Sequence, residues 1–258
     1  MRLPPFARLV LRNFVSNLDP VSIAVRFGQP AFVVVVLGIM FTPLISSSDA
    51  TTGGNYMAFL VPGMVAFQMV LGGVVAGNLF WLDRRWAMVE QIFSGPFLRS
   101  EYLAGLVVTT LIFSLAGAGI MLLVALPFVG LPALSLEGTL VVLATIALGS
   151  VFFSGLLIAV GSRLRSANQY FTVQAVLQYF VVFLSTVYYP VTSKTPRALA
   201  ILVYGNPLTY AVNAVRDAFV GNLGTPDLVA LGVLAVLALA IFALAALGFR
   251  HLDPGPVQ

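Results

Sequence analysis

The chain of 258 residues contains no cysteine and few charged residues. Without cysteine, neither a disulfide framework nor a thiolate metal site can form. Only 9% of the residues are charged, whereas a soluble domain carries roughly 25%. Because 60% of the residues are hydrophobic, this composition argues against a soluble protein.

Lysine and histidine are also nearly missing, and this excludes several kinds of active site. A phosphate-binding P-loop ends in Gly-Lys-Ser/Thr, but the one lysine, Lys194, follows Ser193. The one histidine, His251, lies in a Pro/Gly-rich tail, where no acid–histidine–nucleophile set surrounds it. We therefore expect a chain that is not an enzyme, has no ATPase site and binds no metal or cofactor itself.

The charges that are present leave six long uncharged blocks. Each block can supply the roughly 20 predominantly apolar residues that a membrane-spanning helix needs. We therefore predict an all-α integral membrane fold, with six transmembrane helices in one domain of residues 1–258. The predicted spans are 29–45, 56–82, 103–126, 138–161, 168–187 and 228–249.

The distribution of basic residues predicts the orientation of these spans. Basic residues mark cytoplasmic loops in membrane proteins. With the N-terminus inside and six crossings, ten of the 13 Lys and Arg residues lie in the cytoplasm, and three lie outside. The net charge of +4 therefore indicates topology rather than nucleic-acid binding. We predict a multi-pass protein of the cell membrane (inner or plasma membrane) with both termini in the cytoplasm.

The first segment, residues 5–18, has the pattern of an amphipathic helix. Its apolar residues recur at three- and four-residue steps, while Arg8 and Arg12 lie one turn apart on another face. This pattern predicts a helix in the membrane interface that ends at Asp19-Pro20. The alternative is a frayed, basic N-terminus. The apolar positions are Phe6, Leu9, Val10, Phe14 and Leu18.

Between the second and third spans, residues 83–100 contain a second short helical pattern. Asp83 is a candidate N-cap for a helix of about two turns, and Gly95-Pro96 would end it. Such a helix would present apolar side chains and a single acid, Glu90, to the groove of a partner. The alternative is a plain interfacial helix that stabilises the loop. The apolar positions are Trp86, Val89, Ile92 and Phe93, next to Arg84 and Arg85.

Residues 188–226, between the fifth and sixth spans, carry two pairs of helix start and stop signals. Pro196 and Pro207 favour the first position of a helix, and Gly205 and Gly221 favour a stop. The two predicted helices, 196–204 and 207–220, would be roughly 14 and 21 Å long. Neither crosses a hydrocarbon core of about 30 Å. The pattern therefore predicts an external hairpin that enters the outer leaflet and returns.

Five stretches in this order resemble the membrane subunits of type-two ATP-binding-cassette (ABC) exporters. The resemblance covers nearly the whole chain, and its specificity comes from the order and spacing of stretches that are individually weak. They are "QPAFVVVV" from Gln29, "YMAFLVPGMVAF" from Tyr56, "DRRWAMVEQIFSGPFLRSEYLAG" from Asp83, "FLSTVYYPV" from Phe183 and "NPLTYAVNAVRDAF" from Asn206.

The resemblance implies a permease subunit that works with a separate ABC ATPase, and this ATPase would bind the ATP and Mg. It also implies a second permease copy in the same membrane, with which the chain is expected to form a homodimer. It implies that the segment around Glu90 is the coupling helix that contacts this ATPase, through Arg84, Arg85, Trp86, Val89, Glu90, Ile92 and Phe93. The N-terminal helix, with Phe6, Arg8, Arg12 and Phe14, would brace the same partner. The external hairpin would include Pro190, Asn206, Pro207 and Arg216.

Two departures from the family pattern leave the substrate class open. Asn213 stands where members often carry an acid, and Ala87 or Met88 stands where they often have glycine. Mild polarity in the fifth span, at Gln174, Gln178 and Ser185, predicts either a substrate path along a dimer seam or helix–helix hydrogen bonding. For Arg216 the alternatives are a structural tie to a neighbouring loop and a contact with an anionic lipid headgroup.

The sequence and the resemblance together predict export of a hydrophobic or amphipathic compound: a drug, a lipid or a lipid-linked glycoconjugate. Multidrug resistance and lipid transport are both functions of this kind. A polysaccharide exporter is the alternative within the family. An ion-coupled carrier or channel, and a membrane-embedded enzyme, are the alternatives outside it. A proton-coupled carrier usually needs an ionisable residue deep in the spans, and a membrane-embedded enzyme needs such residues too; the predicted spans contain none.

Overall fold

A computed structural model describes residues 4–44, 55–95, 97–130 and 132–250. The regular structure in these ranges is helical, with ten α-helices and one short 3₁₀ turn at Thr42–Leu44. This confirms the predicted all-α fold. The helices are α1 (Pro5–Val15), α2 (Pro20–Phe41), α3 (Tyr56–Arg85), α4 (Met88–Phe93), α5 (Arg99–Val129), α6 (Leu136–Arg163), α7 (Ala167–Phe183), α8 (Arg197–Tyr204), α9 (Pro207–Val220) and α10 (Thr225–Arg250).

Helix α3 is the centre of the bundle, and it packs against α5, α6, α9 and α2. Within its most apolar stretch 83% of the residues are buried inside the chain, compared with 17% for both α2 and α10. A helix that is apolar on every side is a buried one, and α3 has such a sequence. The outer helices α2 and α10 therefore leave most of their surface to lipid.

Two glycines let other elements approach α3 closely. A Cβ atom on Gly73 would lie 2.7 Å from the backbone carbon of Phe153 in α6. A Cβ atom on Gly63 would lie 2.9 Å from the carbonyl oxygen of Val187, beyond the end of α7. Because both contacts are with backbone atoms, a rotamer change cannot relieve them. Dispersion between closely packed helices, rather than a hydrophobic effect, holds membrane bundles together.

Within the described ranges, five helices are long and apolar enough to cross a membrane: α2, α3, α5, α6 and α10. Helix α7, at the predicted fifth span, has 17 residues, and its length of roughly 26 Å lies at the lower limit for a crossing. Helices α8 and α9 form a pair bent by 78° in the region of the predicted hairpin. Its placement in the outer leaflet stays a prediction.

Helix α2 begins earlier than the predicted first span, at Pro20 rather than residue 29. The Asp19 carboxylate accepts a hydrogen bond from the Ser22 backbone N–H at 2.9 Å, and Pro20 occupies the first helical position. Asp19-Pro20, which we interpreted as the end of one helix, is therefore also the start of the next. Arg26 consequently lies within a helix of membrane-spanning length. The end of the predicted span, Ile45, lies outside the described residues.

Helix α1 packs along α5 and is tied to α3 by an ion pair between the half-buried Arg12 and the buried Asp83. The Arg12 guanidinium donates through Nη2 to the Asp83 carboxylate. The Tyr102 hydroxyl of α5 donates to the same Asp83 oxygen at 2.8 Å. The polar residue Asn13, fully buried beside Arg12, accepts from it at 2.8 Å. These polar contacts join α1, α3 and α5 at one end of the bundle.

We predict that Arg12 and Asp83 stabilise the protein as a pair. The replacements Arg12→Gln and Asp83→Asn should each lower the melting temperature of the purified protein, because either change leaves a buried group without its partner. A double-mutant cycle should give a coupling free energy of about 1–3 kcal/mol. Arg8→Gln is the matched control because Arg8 is exposed. Additive losses from the two replacements would contradict the pairing.

Candidate functional site

Arg84, the last buried charge of α3, holds the end of a neighbouring helix. Its Nη1 atom donates to the carbonyl oxygens of Gly161, Ser162 and Leu164, at 3.0, 3.2 and 2.9 Å. These carbonyls belong to the last turn of α6, where helix carbonyls have no partner within the helix and where the macrodipole favours a cation. Arg84, which the resemblance placed at a partner interface, therefore faces the interior and fixes α3 to α6.

A short helix, α4, lies in the segment predicted to be the coupling helix, but it starts later than predicted. Asp83 lies inside α3 and pairs with Arg12, so it does not cap α4, and that prediction is wrong. Ala87 precedes α4 instead, with φ of 52° and no side-chain cap. A non-glycine residue with positive φ marks a sharp, strained turn. The chain therefore reverses abruptly between α3 and α4.

The apolar side chains of this segment divide into an inner and an outer set. Val89 and Ile92 are buried, and the Phe93 ring lies edge-on against Tyr102, with 5.9 Å between centroids. Trp86 is 66% exposed and Met88 is 37% exposed. The inner set attaches α4 to the bundle, and Trp86 and Met88 form an apolar outer surface.

Two charged residues accompany this outer surface. Arg85 is exposed, and its guanidinium lies 5.8 Å from the centroid of the Trp86 indole. Glu90 is half-buried in the first turn of α4. The segment thus offers a large aromatic ring with an adjacent cation, a combination enriched at the centres of protein interfaces. We call residues 85–93 the coupling segment, after its predicted role, and we call Arg85, Trp86 and Met88 its outer surface.

A cavity of about 220 Å³ lies between α2, α3 and α7. One of the predicted path residues, Gln178, lines it, whereas Gln174 and Ser185 do not. Gln29 also lines the cavity. It was not among the predicted path residues, although a polar residue at the edge of a predicted span was a usable signal. The lining residues are Gln29, Pro30, Val33, Met64, Phe67, Leu71, Gln178, Tyr179, Val182, Phe183 and Tyr188, none of which is charged.

The other two predicted path residues have different surroundings. Ser185 is fully buried and its hydroxyl donates to the Val182 carbonyl at 2.6 Å, so it stabilises the turn that follows α7. Gln174 is 9% exposed. Its side-chain oxygen is buried and has no hydrogen-bond donor among the described residues. The structure therefore brings only Gln178 of the three to the cavity.

At the opposite end of the bundle, Arg216 of α9 joins three elements. Its Nη2 atom donates to the Thr186 carbonyl at 2.9 Å, and its guanidinium lies 4.0 Å from the centroid of the Phe59 ring in α3. Asn213, one turn earlier, accepts from the Thr186 hydroxyl at 3.0 Å and from Arg216 at 3.3 Å. These contacts match the structural tie, rather than the lipid contact, of the two alternatives for Arg216.

Asn206, at the bend between α8 and α9, has two structural roles. Its side-chain oxygen accepts from the Leu208 backbone N–H at 3.0 Å and so caps α9. Its amide nitrogen donates to the carbonyls of Val181 and Leu184, at 2.6 and 2.7 Å, at the end of α7. Pro207 occupies the first position of α9. Pro190 is half-buried in the irregular segment before α8.

The comparisons with known proteins give one finding on the family. The model of a family described as ABC-2 type transporter matches residues 6–220, which is most of the chain and extends from the second residue of α1 to the end of α9. No curated protein matches the chain significantly.

We predict that Arg84 and the adjacent Arg85 differ sharply in their effect on stability. Arg84→Gln should lower the free energy of unfolding by about 2 kcal/mol, because the charge-assisted hydrogen bonds to the end of α6 are lost. Arg85→Gln should change it by less than about 0.5 kcal/mol, because an exposed side chain is removed. Unfolding of both purified variants in detergent measures the difference. Equal effects would show that Arg84 does not hold α6.

Proposed function

The chain belongs to the ABC-2 type transporter family, and on that premise we propose that it is the permease subunit of an exporter for a hydrophobic or amphipathic compound. A drug, a lipid or a lipid-linked glycoconjugate is a compound of this kind. Because it belongs to this family, the chain is a membrane permease. The family also implies an ABC ATPase as its partner. ATP and Mg would bind to that partner, in the cytoplasm, on the side of α1 and α4.

The chemistry of the cavity supports an amphipathic substrate. Its walls are apolar and aromatic, apart from the two amide side chains of Gln29 and Gln178 and the tyrosine hydroxyls. Sites for small apolar ligands typically combine such walls with a few polar groups that orient the ligand. A polysaccharide would need many more hydrogen-bonding groups along its path. The cavity therefore favours an amphiphile over the polysaccharide alternative.

The coupling segment supplies the means by which the ATPase would act on the bundle. Its outer surface, with Trp86 and Met88, is exposed and would dock into the ATPase. Its inner side chains and Arg84 attach it to α3, α5 and α6. A force applied at Trp86 would therefore be transmitted to this group of helices as a unit.

Helix α7 is the element that would move relative to this unit. It contacts α3 and α6 at few positions, and a specific contact holds each of its two ends. At one end the Tyr170 ring stacks on Trp81, with 5.1 Å between centroids, and at the other end the Val181 and Leu184 carbonyls bond to Asn206. The cavity lies against the part of α7 near Gln178. A shift of α7 would therefore open or close the cavity.

A second copy of the chain would complete the path. One side of α7 is exposed and rich in aromatic rings, at Tyr179, Phe180 and Phe183. The cavity opens beside this surface, since Tyr179 and Phe183 belong to both. We propose a homodimer in which the α7 surfaces of two copies face each other, so that the substrate passes between them.

We predict that the outer surface of the coupling segment determines binding of the ATPase. Trp86→Ala should weaken association with the ATPase about 30-fold, because truncation of an interface hot spot costs about 2 kcal/mol, while the melting temperature stays close to that of the wild type. Val220→Ala, an equally exposed apolar residue at the other end of the bundle, is the control. Binding measured with purified components reports the difference. Equal binding by both variants would contradict the assignment.

We predict that filling the cavity impairs transport of an amphiphile. Phe67→Trp, which enlarges a lining side chain, should reduce ATP-dependent export of a fluorescent amphiphile from vesicles about tenfold, a loss of about 1.4 kcal/mol of substrate binding, because the larger ring occupies space that the substrate would fill. Leu239→Trp, on the 70% exposed position of α10, adds a similar side chain outside the cavity and should have little effect. Export driven by an ion gradient without ATP would instead support the ion-coupled carrier.

A further inference from the structure

Arg26 lies within the first two turns of α2, about 9 Å from the start of the helix. Its side chain turns back towards that start, because Nη2 donates to the Asn17 side-chain oxygen at 2.9 Å. Asn17 belongs to the turn that joins α1 and α2, which we call the elbow (residues 16–19). Long basic side chains near the end of a membrane helix reach for the interface in this way.

The Arg26 charge has no acid partner in the described part of the chain. The nearby acid Asp83 is paired with Arg12. The nearest acid in sequence, Asp19, caps α2 through the Ser22 N–H. The Nη1 atom of Arg26 has no hydrogen-bond acceptor there either. The Phe113 ring, with its centroid 4.5 Å from the guanidinium, covers one face of the charge without neutralising it.

Two side-chain donors of α1, on either side of the Arg12–Asn13 hydrogen bond, also lack an acceptor in the part of the chain that the structure describes. Besides Arg26 Nη1, the Arg12 Nη1 atom and the side-chain nitrogen of the fully buried Asn13 lack an acceptor among the described residues. All three donors belong to α1 or to the start of α2. An unpaired buried donor is costly, so an acceptor of negative charge that reached the Arg26 guanidinium would stabilise it.

The surface beside this cluster is apolar and uncovered. Leu18, Val21 and Val25 are 41%, 70% and 58% exposed and surround the turn into α2. An amphipathic helix such as α1 lies at the boundary between headgroups and acyl chains. The cation at the elbow therefore lies at the depth of lipid phosphates, with side chains that suit acyl chains next to it.

We propose that the elbow binds a lipid with a net negative charge in the leaflet at that end of the bundle, and that Arg26 is the residue that contacts its phosphate. The exposed valines favour a lipid over free phosphate, because inorganic phosphate gains nothing from an apolar neighbour. A basic residue near an anionic membrane surface contributes to lipid binding independently of transport. The site is therefore separate from the proposed export of a substrate and can be tested without the ATPase.

Native mass spectrometry of the purified full chain in detergent, titrated with phosphatidylglycerol, phosphatidylcholine or inorganic phosphate, tests the proposal. The wild type should bind phosphatidylglycerol about fivefold more tightly than phosphatidylcholine. Arg26→Gln should lose this preference, and Arg26→Lys should keep most of it because the charge remains. Arg8→Gln removes the same charge from an exposed position of α1 and should keep the preference.

Three results would each overturn the proposal. The first is equal binding of the two lipids by the wild type, which requires no variant to fold. The second is an equal loss of preference in the Arg8→Gln and Arg26→Gln variants, since that would reflect net charge rather than a site. The third is binding of inorganic phosphate at the same stoichiometry and affinity as phosphatidylglycerol, which would exclude recognition of the lipid.

Discussion

The end of α3 is fixed by polar contacts on two sides, and the rest of the structure depends on this. Asp83 accepts from Arg12 and Tyr102, which attaches α3 to α1 and α5. Arg84 donates to the last turn of α6. Buried charges of this kind are costly unless every partner is present, so the four helices are held in one arrangement. The sharp turn at Ala87 then places the coupling segment directly against this joint.

At the other end of the bundle, polar side chains bind the carbonyl groups of irregular backbone. Where α7 ends and α8 meets α9, carbonyl groups lose their helical partners, and in lipid each would cost several kcal/mol. Asn206 and Arg216 donate to carbonyls in this region. The Tyr56 hydroxyl donates to the backbone carbonyl of Tyr188 at 2.7 Å. Side chains from α3 and α9 thus replace the missing backbone bonds, which lets α7 stop short without unfolding.

Composition and charge spacing were enough to predict the all-α membrane fold, because long uncharged, apolar blocks are typical of membrane-spanning helices. The local motif at Asn206-Pro207 likewise predicted the start of α9. The partners of Asp83 and Arg84 were not predictable, because both contacts join residues far apart in sequence. The sequence also does not distinguish a charge at a helix end that faces the protein interior from one that faces solvent. The division of the coupling segment into buried Val89 and exposed Trp86 also depends on packing against α5. The cavity needed three helices to be placed before Gln29 and Gln178 could be seen to share it.

The central claim is that the coupling segment moves as one body with α3 and α6, while α7 moves relative to it. Because the chain has no cysteine, spin labels can be attached at single introduced cysteines. One doubly labelled variant carries Gln91→Cys and Arg165→Cys, and the other carries Gln91→Cys and Val176→Cys. Pulsed electron spin resonance on the reconstituted complex, with labelled copies diluted by unlabelled chain, gives both distances with and without ATP. The account predicts that ATP leaves the distance from residue 91 to residue 165 unchanged and shifts the distance from residue 91 to residue 176. A changed first distance with a constant second one would contradict it.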